Sequence, residues 1–352
     1  MFMIYGANGY TGELIAREAS KRGQKPVLAG RNSTAVTALA AELGLESRIF
    51  SLDQAAEQVA AQLTDVDVVI HCAGPFSATS QVMIDACVLA GTHYTDISGE
   101  MDVFEHAHST DINDQAIKAN IVVCPGVGFD VIPTDCVAAK LKSEMPDATD
   151  LVLGFSSRSS LSPGTAKTSV ESLGDGTRIR KNGVIQVTGL KTRKVNFGEG
   201  DVQAAAIGWG DVSTAFHTTG IKNIEVYIPA PDPVLKKLKT ADKMRWLFKI
   251  KWVQNVLKKQ IEKKVKGPNQ DKRAASQTLV WGEVHNANGD TKTCRITTAN
   301  GYDVTVYGAL AVADYLSENP QQQKGSYTPS LLMGHSLVEG LPGSGSLTIS
   351  DS

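Results

Sequence analysis

The sequence lacks several features that mark particular classes of protein. Its five cysteines are odd in number and never spaced Cys-x-x-Cys, so neither a disulfide framework nor a metal site is expected. It contains no run of about 18 apolar residues, the length expected of a membrane-spanning helix. The chain starts with a short apolar run that leads directly into a Gly-rich turn, which leaves no room for a secretory signal. Together these absences predict a cytoplasmic protein.

Neither sign of charge predominates overall. The 35 Lys and Arg residues nearly balance the 37 Asp and Glu residues, which gives a net charge of −2. Nucleic-acid binders neutralise phosphates with clustered basic residues, so the sequence argues against that class. Residues 234–266 are the exception, with twelve Lys or Arg residues, two acidic residues and apolar residues near helical spacing. This basic segment predicts peripheral contact with an anionic membrane surface or a lipid-like ligand; the alternative is a helix packed on its own domain or on a dimer partner.

The length of 352 residues and the apolar content of 42% predict two packed globular units. In residues 1–125, short apolar runs alternate with amphipathic segments of helical periodicity. Strands that alternate with helices form parallel sheets through right-handed crossovers, so we predict an α/β, doubly wound Rossmann domain there. The predicted strands are Phe2–Tyr5, Pro26–Ala29, Arg48–Leu52, Asp67–Cys72, His93–Ile97 and Asn120–Cys124.

The pattern changes after residue 125. Residues 149–230 and 276–300 resemble strands joined by Gly-containing turns, which predicts an α+β domain over residues 126–301. Helical spacing over Tyr302–Leu316 predicts that the C-terminal segment, 302–352, packs back on the first domain. The tail from Leu341 is rich in Gly and Ser and is expected to be loosely held.

The turn after the first predicted strand has the spacing of a dinucleotide-binding fingerprint. Gly6, Gly9 and Gly12 form a G-x-x-G-x-x-G variant that opens the first helix. We expect Gly6 to make a tight turn, Gly9 to let the backbone approach a pyrophosphate, and Gly12 to allow close packing of helix on strand. The alternative is a tight turn that binds no ligand. The other predicted binding residues of this turn are Asn8, Tyr10 and Thr11.

The end of the second predicted strand indicates which cofactor would bind. An NAD site places Asp or Glu here, but the sequence reads Gly30-Arg31-Asn32-Ser33. A carboxylate about 4 Å from a 2′-phosphate would repel it by roughly 4 kcal/mol at an effective dielectric of 20. Arg31 reverses that sign and offers a fork matched to phosphate, while Asn32 adds a short donor, so NADP is predicted over NAD. The alternative is that Arg31 is a solvated loop charge.

Two further loops are expected to complete the cofactor cleft. Asp53 follows the third predicted strand and would border the adenine, although Asp is also a common helix cap. Ala73, Gly74 and Pro75 follow the fourth strand, at the point of a doubly wound sheet where ligands cross the sheet edge.

These motifs, with others farther along the chain, resemble the saccharopine dehydrogenase-like oxidoreductase family. The resemblance implies a Rossmann domain that binds NAD(P), followed by a substrate and dimerisation domain, and hence a homodimer. The family includes saccharopine reductases and trans-acting enoyl reductases that serve lipid synthesis, and the match is closer to the second branch. The matching segments are Gly6–Gly12, Gly30–Asn32, Gly74–Phe76, Cys87–Glu100, Gly126–Asp135 and Gly208–Ala215.

Candidate catalytic residues lie on or after the fifth and sixth predicted strands. His93 or Tyr94 would deliver a proton, and Asp96 or Asp130 would orient the group that delivers it. The alternatives are a hydrogen-bonded structural histidine and an aspartate that caps the helix near Pro133. Basic residues that would bind a carboxylate, or else be solvated, are Arg158, Lys167 and Arg178.

The sequence therefore predicts an NADP-dependent oxidoreductase that transfers a hydride to or from a small or lipid-like unsaturated substrate. Two alternatives stay open: an imine or amino-acid dehydrogenase of the saccharopine reductase type, and an NADP-binding sensor or scaffold without catalysis.

Overall fold

The computed structural model describes residues 1–157, 176–243, 250, 252–253, 276–321 and 323–351. The described chain forms two compact units. The first comprises residues 1–132 and 302–342, and the second comprises residues 133–301 and 343–352. Candidate residues Arg158 and Lys167, and most of the basic segment 234–266, lie outside the described residues.

The first unit is built on a parallel sheet of seven strands, ordered β15-β6-β5-β4-β1-β2-β3. Its strands are β1 (Phe2–Tyr5), β2 (Val27–Gly30), β3 (Ser47–Ile49), β4 (Val68–His71), β5 (His93–Asp96), β6 (Val122–Cys124) and β15 (Gly325–Ser326). Its helices are α1 (Tyr10–Lys21), α2 (Ser33–Leu43), α3 (Ala56–Ala60), α4 (Phe76–Ala90), α5 (Met101–Ala107), α6 (Thr110–Lys118), α10 (Gly301–Glu318) and α11 (Pro329–Met333), followed by a 3₁₀ helix (His335–Gly340).

Burial explains why the central strands of this sheet have so few polar residues. All four residues of β1, of β2 and of β4 are buried, as expected of parallel strands covered by helices on both faces. The strand order reverses between β1 and β4, which pair from Phe2 with Val68 to Tyr5 with His71. The carboxyl ends of β1 and β4 therefore form the switch point at which doubly wound sheets bind ligands.

The second unit contains a mixed sheet of nine strands. Strands β7 and β12 pair in parallel, and the other pairings are antiparallel. Helix α7 (Ile132–Glu144) leads from the first unit into the second. Its described strands are β7 (Asp150–Ser157), β8 (Thr177–Lys181), β9 (Val184–Thr188), β10 (Thr192–Asn196), β11 (Asp201–Ile207), β12 (Asn223–Pro229), β13 (Gln277–His285), β14 (Thr291–Ala299) and β16 (Thr348–Asp351). Its other described helices are α8 (Asp211–Thr219) and α9 (Asp232–Lys243).

The C-terminal segment, predicted to pack on the first domain as a whole, is divided between the two units. Helix α10 lies in the first unit, but residues 343–352 belong to the second. Strand β16 pairs antiparallel with β14, from Lys292 with Asp351 to Arg295 with Thr348, so this part of the tail is held by a sheet ladder. The described helices include none that is long and apolar enough to cross a membrane.

Candidate functional site

The turn after β1 is shaped by two backbone constraints. Gly6 has a φ of +84°, a conformation that L side chains rarely adopt, and a Cβ there would lie 2.9 Å from the backbone nitrogen of Ala73. The amides of Gly6 and Ala7 donate to the carbonyl of Ala29, at 2.8 and 3.1 Å. The turn is therefore locked between β2 and the end of β4, at the switch point.

Gly9 and Gly12 serve different purposes in this turn. A Cβ on Gly12 would lie 2.4 Å from the Gly6 carbonyl oxygen and 3.0 Å from the Ala7 Cα, so helix α1 packs directly on the turn. A Cβ on Gly9 would meet one atom closer than 4 Å, the Gly6 oxygen at 3.2 Å. Gly9 therefore leaves open space beside the backbone, where a larger residue would block a ligand.

Helix α1 begins in a way that suits an anion. Its N-cap is Gly9, which has no side chain to accept a hydrogen bond from the first turn. Uncapped amides and the positive end of the helix dipole form a ready anion site. Asn8 and Tyr10 are exposed and Thr11 is half-buried, and the ring of Tyr10 packs edge-on against Tyr302 of α10, with centroids 5.2 Å apart. These residues fit a dinucleotide pyrophosphate.

The loop after β2 separates the roles of Arg31 and Asn32. Arg31 is exposed and forms no ion pair with any residue that the structure describes. Asn32 is the N-cap of α2, and its Oδ1 accepts a hydrogen bond of 3.1 Å from the amide of Ala35. Asn32 therefore holds the start of α2, and Arg31 is the side chain free to meet a phosphate.

Asp53 and Arg31 both act on the hydroxyl of Tyr5. Burial raises the pKa of Tyr5 to about 12, with the positive charge of Arg31 opposing the rise and the negative charge of Asp53 adding to it. Asp53 is exposed and accepts a hydrogen bond of 2.9 Å from the Ser51 hydroxyl. Since the N-cap of α3 is Ala55, the interpretation of Asp53 as that helix cap is wrong. Both charged groups therefore lie near Tyr5, at the carboxyl end of β1.

The loop after β4 leads into a helix whose first turn contacts Glu100, a residue that the sequence did not single out. Gly74 and Pro75 are exposed, and the Thr79 hydroxyl donates to the carbonyl of Ala73 at 2.7 Å. The first two amides of α4, those of Phe76 and Ser77, each donate to the carboxylate of Glu100 at 2.9 Å. The signal available was the Gly99-Glu100 pair within the resemblance motif.

His93 does not lie at this edge of the sheet. It is the first residue of β5, so it stands at the amino end of a parallel strand, opposite the carboxyl ends that border the turn of Gly6. Its Nδ1 accepts a hydrogen bond of 2.8 Å from the amide of Val122, and burial, with the charge of Lys324, lowers its pKa to about 4. The prediction of a catalytic His93 is corrected to a structural one: its neutral ring joins β5 to β6.

Asp96 is buried and fully engaged at the carboxyl end of β5. Its Oδ1 accepts the amides of Ser98 and Gly126, at 2.9 and 2.8 Å, and its Oδ2 accepts the Tyr94 hydroxyl at 2.7 Å. Burial raises the pKa of Asp96 to about 6, although these hydrogen bonds oppose the rise. Burial also holds the pKa of Tyr94 far above its ordinary value, and the negative charge of Asp96 raises it further. Neither side chain is exposed, so both organise the loops instead of contacting a ligand directly.

Asp130 is the one predicted catalytic residue that is neither fully buried nor hydrogen-bonded within the described part of the chain. It is half-buried in the loop after β6 and makes no hydrogen bond with any other described residue, so the helix-cap interpretation gains no support. A Cβ on Gly99 would lie 2.4 Å from its Oδ2, so the glycine makes room for the carboxyl group. Burial raises the pKa of Asp130 to about 6.

His71, at the end of β4, is a further buried group near this edge. Its Nδ1 lies 3.5 Å from the Tyr94 hydroxyl, and its ring meets Phe76 edge-on. Burial lowers its pKa to about 3, with the Ala73 backbone opposing the change. His71 is therefore neutral at physiological pH and packs beneath the loop of Gly74.

A family model described as the saccharopine dehydrogenase NADP binding domain matches residues 2–124. A probable mitochondrial saccharopine dehydrogenase-like oxidoreductase of Arabidopsis thaliana is 30% identical over 151 residues, covering 38% of this chain and 32% of that protein. A trans-acting enoyl reductase of Mycobacterium bovis is 30% identical over 185 residues, covering 49% of this chain and 44% of that protein. The chain thus spans less than half the length of these curated relatives.

The fold has a solved counterpart. The apo structure of saccharopine dehydrogenase (L-Glu forming) from Saccharomyces cerevisiae aligns with a TM-score of 0.66, over 100% of this chain and 99% of that one, at 11% identity. This likeness confirms the predicted α/β doubly wound domain followed by a second mixed-sheet domain. The family match confirms the predicted resemblance and the choice of NADP: residues 2–124 are similar to the saccharopine dehydrogenase NADP binding domain.

Proposed function

We propose that the protein is an NADP-dependent oxidoreductase that transfers a hydride to or from a small or lipid-like unsaturated substrate. The observation that carries this proposal is the start of α1 at Gly9, an N-cap without a side chain, together with the exposed Arg31 at the next loop, which forms no ion pair with a described residue. When bound, the cofactor supplies the hydride chemistry, and the chain supplies binding, orientation and proton handling.

Each loop at the carboxyl edge has a proposed role in binding. The amides of Tyr10 to Gly12 would hold the pyrophosphate, and Arg31 would pair with the 2′-phosphate. The loop of Ala73, Gly74 and Pro75 would border the nicotinamide, and Asp53 the adenine side.

Asp130 is the proposed proton-handling residue. A carboxyl group with a pKa of about 6 holds its proton under mildly acidic conditions and accepts one near neutrality, which suits a general acid or base. Tyr94 and Asp96 are assigned as positioning residues, because the Asp96 carboxylate ties the loop at Ser98 to the loop at Gly126, which leads to Asp130.

Oxidation of NADPH with a panel of enoyl, imine and carbonyl substrates tests this function. Turnover of an enoyl substrate, with kcat reduced at least tenfold in Asp130→Asn, is the expected result. Tight NADPH binding without turnover on the whole panel would favour a sensor or scaffold instead. Turnover confined to imines would favour the amino-acid dehydrogenase alternative.

We further propose a cytoplasmic homodimer whose basic segment, 234–266, makes peripheral contact with an anionic membrane. The support is the composition of the segment together with Trp252, which is 68% exposed. Salt-sensitive co-sedimentation with anionic but not neutral vesicles is expected, and no binding at low salt would contradict it. Size-exclusion chromatography with light scattering tests the dimer.

A further inference from the structure

The carboxylate of Glu100 occupies the N-terminal end of α4. This helix of 15 residues begins after Pro75, and its N-cap provides no side-chain hydrogen bond. Instead, Glu100 reaches back over more than twenty residues and accepts both the Phe76 amide, at Oε1, and the Ser77 amide, at Oε2. One amide for each oxygen is the arrangement in which a free carboxylate would bind a helix end.

The backbone of Glu100 is held as firmly as its side chain. Its amide donates to the Ser98 hydroxyl at 3.0 Å, and the Ser98 amide donates to the buried carboxylate of Asp96 at 2.9 Å. Glu100 is therefore presented to α4 by a turn that is fixed at the end of β5. Displacing it would require an incoming anion to compete with an acceptor that is already in place.

The surroundings of Glu100 are acidic. Gly99, its neighbour, packs against the carboxyl group of Asp130, and the carboxyl group of Asp96 lies below the same turn. Within the described ranges, none of these three acids forms an ion pair with a Lys or Arg residue. Among the described residues, an incoming carboxylate would meet these like charges and none of the ion-pairing Lys or Arg residues.

We infer that Glu100 is a specificity-determining residue: it fills the anion-binding end of α4 from within the chain, so the part of the substrate that meets this edge is uncharged or cationic and not a carboxylate. The charge preference for the substrate rests on the proposed function. The occupation of the α4 end by Glu100 rests on its contacts with Phe76 and Ser77 and holds without any enzymatic activity.

Titration with acetate, followed by the amide NMR signals of Phe76 and Ser77, tests the role of Glu100. In the full chain saturated with NADP⁺, we expect no saturable shift in the wild-type protein. Glu100→Ala frees the two amides and should show saturable shifts at millimolar acetate. Glu100→Gln keeps one oxygen acceptor and serves as the matched control, with weaker shifts than Glu100→Ala.

Two results would overturn the inference. Saturable shifts in the wild-type protein would mean that an external carboxylate displaces Glu100, and absence of shifts in folded Glu100→Ala would mean that this helix end is no anion site. If NADP⁺ fails to bind, the proposed function fails, and the same titration of the cofactor-free protein still decides the role of Glu100.

A comparison of two substrates tests the predicted charge preference. For an unsaturated substrate supplied as a neutral ester and as the free acid, the wild-type protein should prefer the ester in kcat/KM. Glu100→Gln should shift that preference about tenfold toward the acid, because it removes one like charge. Equal use of both forms by the wild-type protein would contradict the assignment.

Discussion

Substituting two glycines of the same turn separates packing from cofactor binding. Gly12→Ala places a Cβ 2.4 Å from the Gly6 oxygen and 3.0 Å from the Ala7 Cα, both backbone atoms that cannot rotate away. Overpacking of this kind costs about 1–3 kcal/mol. For a unit of this size, each kcal/mol lowers Tm by about 2–4 °C, so we expect a drop of several degrees together with loss of NADPH binding.

Gly9→Ala is the matched control. Its Cβ would lie 3.2 Å from the same Gly6 oxygen, and the φ of −77° suits alanine. The fold should lose less than about 1 kcal/mol, mainly because alanine is a poor N-cap. The added methyl group would nevertheless stand beside the amides proposed to hold the pyrophosphate, so NADPH affinity should fall at least tenfold. Differential scanning fluorimetry and calorimetric titration measure the two effects, and a Gly9→Ala protein that binds NADPH normally would refute this reasoning.

The remaining predictions concern three residues of strand β5. Because burial raises the pKa of Asp96 to about 6, its ionised form is disfavoured in the folded state. The free energy of unfolding should therefore rise by about 2–3 kcal/mol as the pH falls from 6 to 4. Urea unfolding over this pH range should show that rise in the wild-type protein and a smaller one in Asp96→Asn. Tyr94→Phe removes a donor from that buried carboxylate and should lower the free energy of unfolding by about 1–3 kcal/mol, and an unchanged urea midpoint would contradict it. His93→Gln should leave NADPH affinity unchanged, because residue 93 stands at the opposite edge of the sheet, and a calorimetric loss of affinity would overturn its structural assignment.

Much of the first domain was predictable from local pattern. Strand β1 has the predicted bounds, and the first helix opens at the predicted glycine turn. Helix α4 begins at Phe76, where the distant carboxylate of Glu100 accepts the amides of its first turn. Periodicity carries no information about such a contact.

The errors at the site have similar causes. His93 was grouped with Asp96 because both lie on β5, although the position of His93 as the first residue of the strand places it at the wrong end. Pairing of β16 with β14 could not be predicted, since a Gly- and Ser-rich tail gives little signal for a strand that pairs across a long stretch of sequence. Residue types indicated the glycine turn well, because a side chain at Gly6 or Gly12 would clash with the backbone.

The most direct test of the central claim is calorimetric titration of the wild-type and Arg31→Ala proteins with NADPH and with NADH. We expect the wild-type protein to bind NADPH more tightly than NADH, and Arg31→Ala to lose about ten- to a hundredfold in NADPH affinity while its NADH affinity stays the same. Equal affinity of the wild-type protein for both nucleotides, or binding of neither, would contradict it.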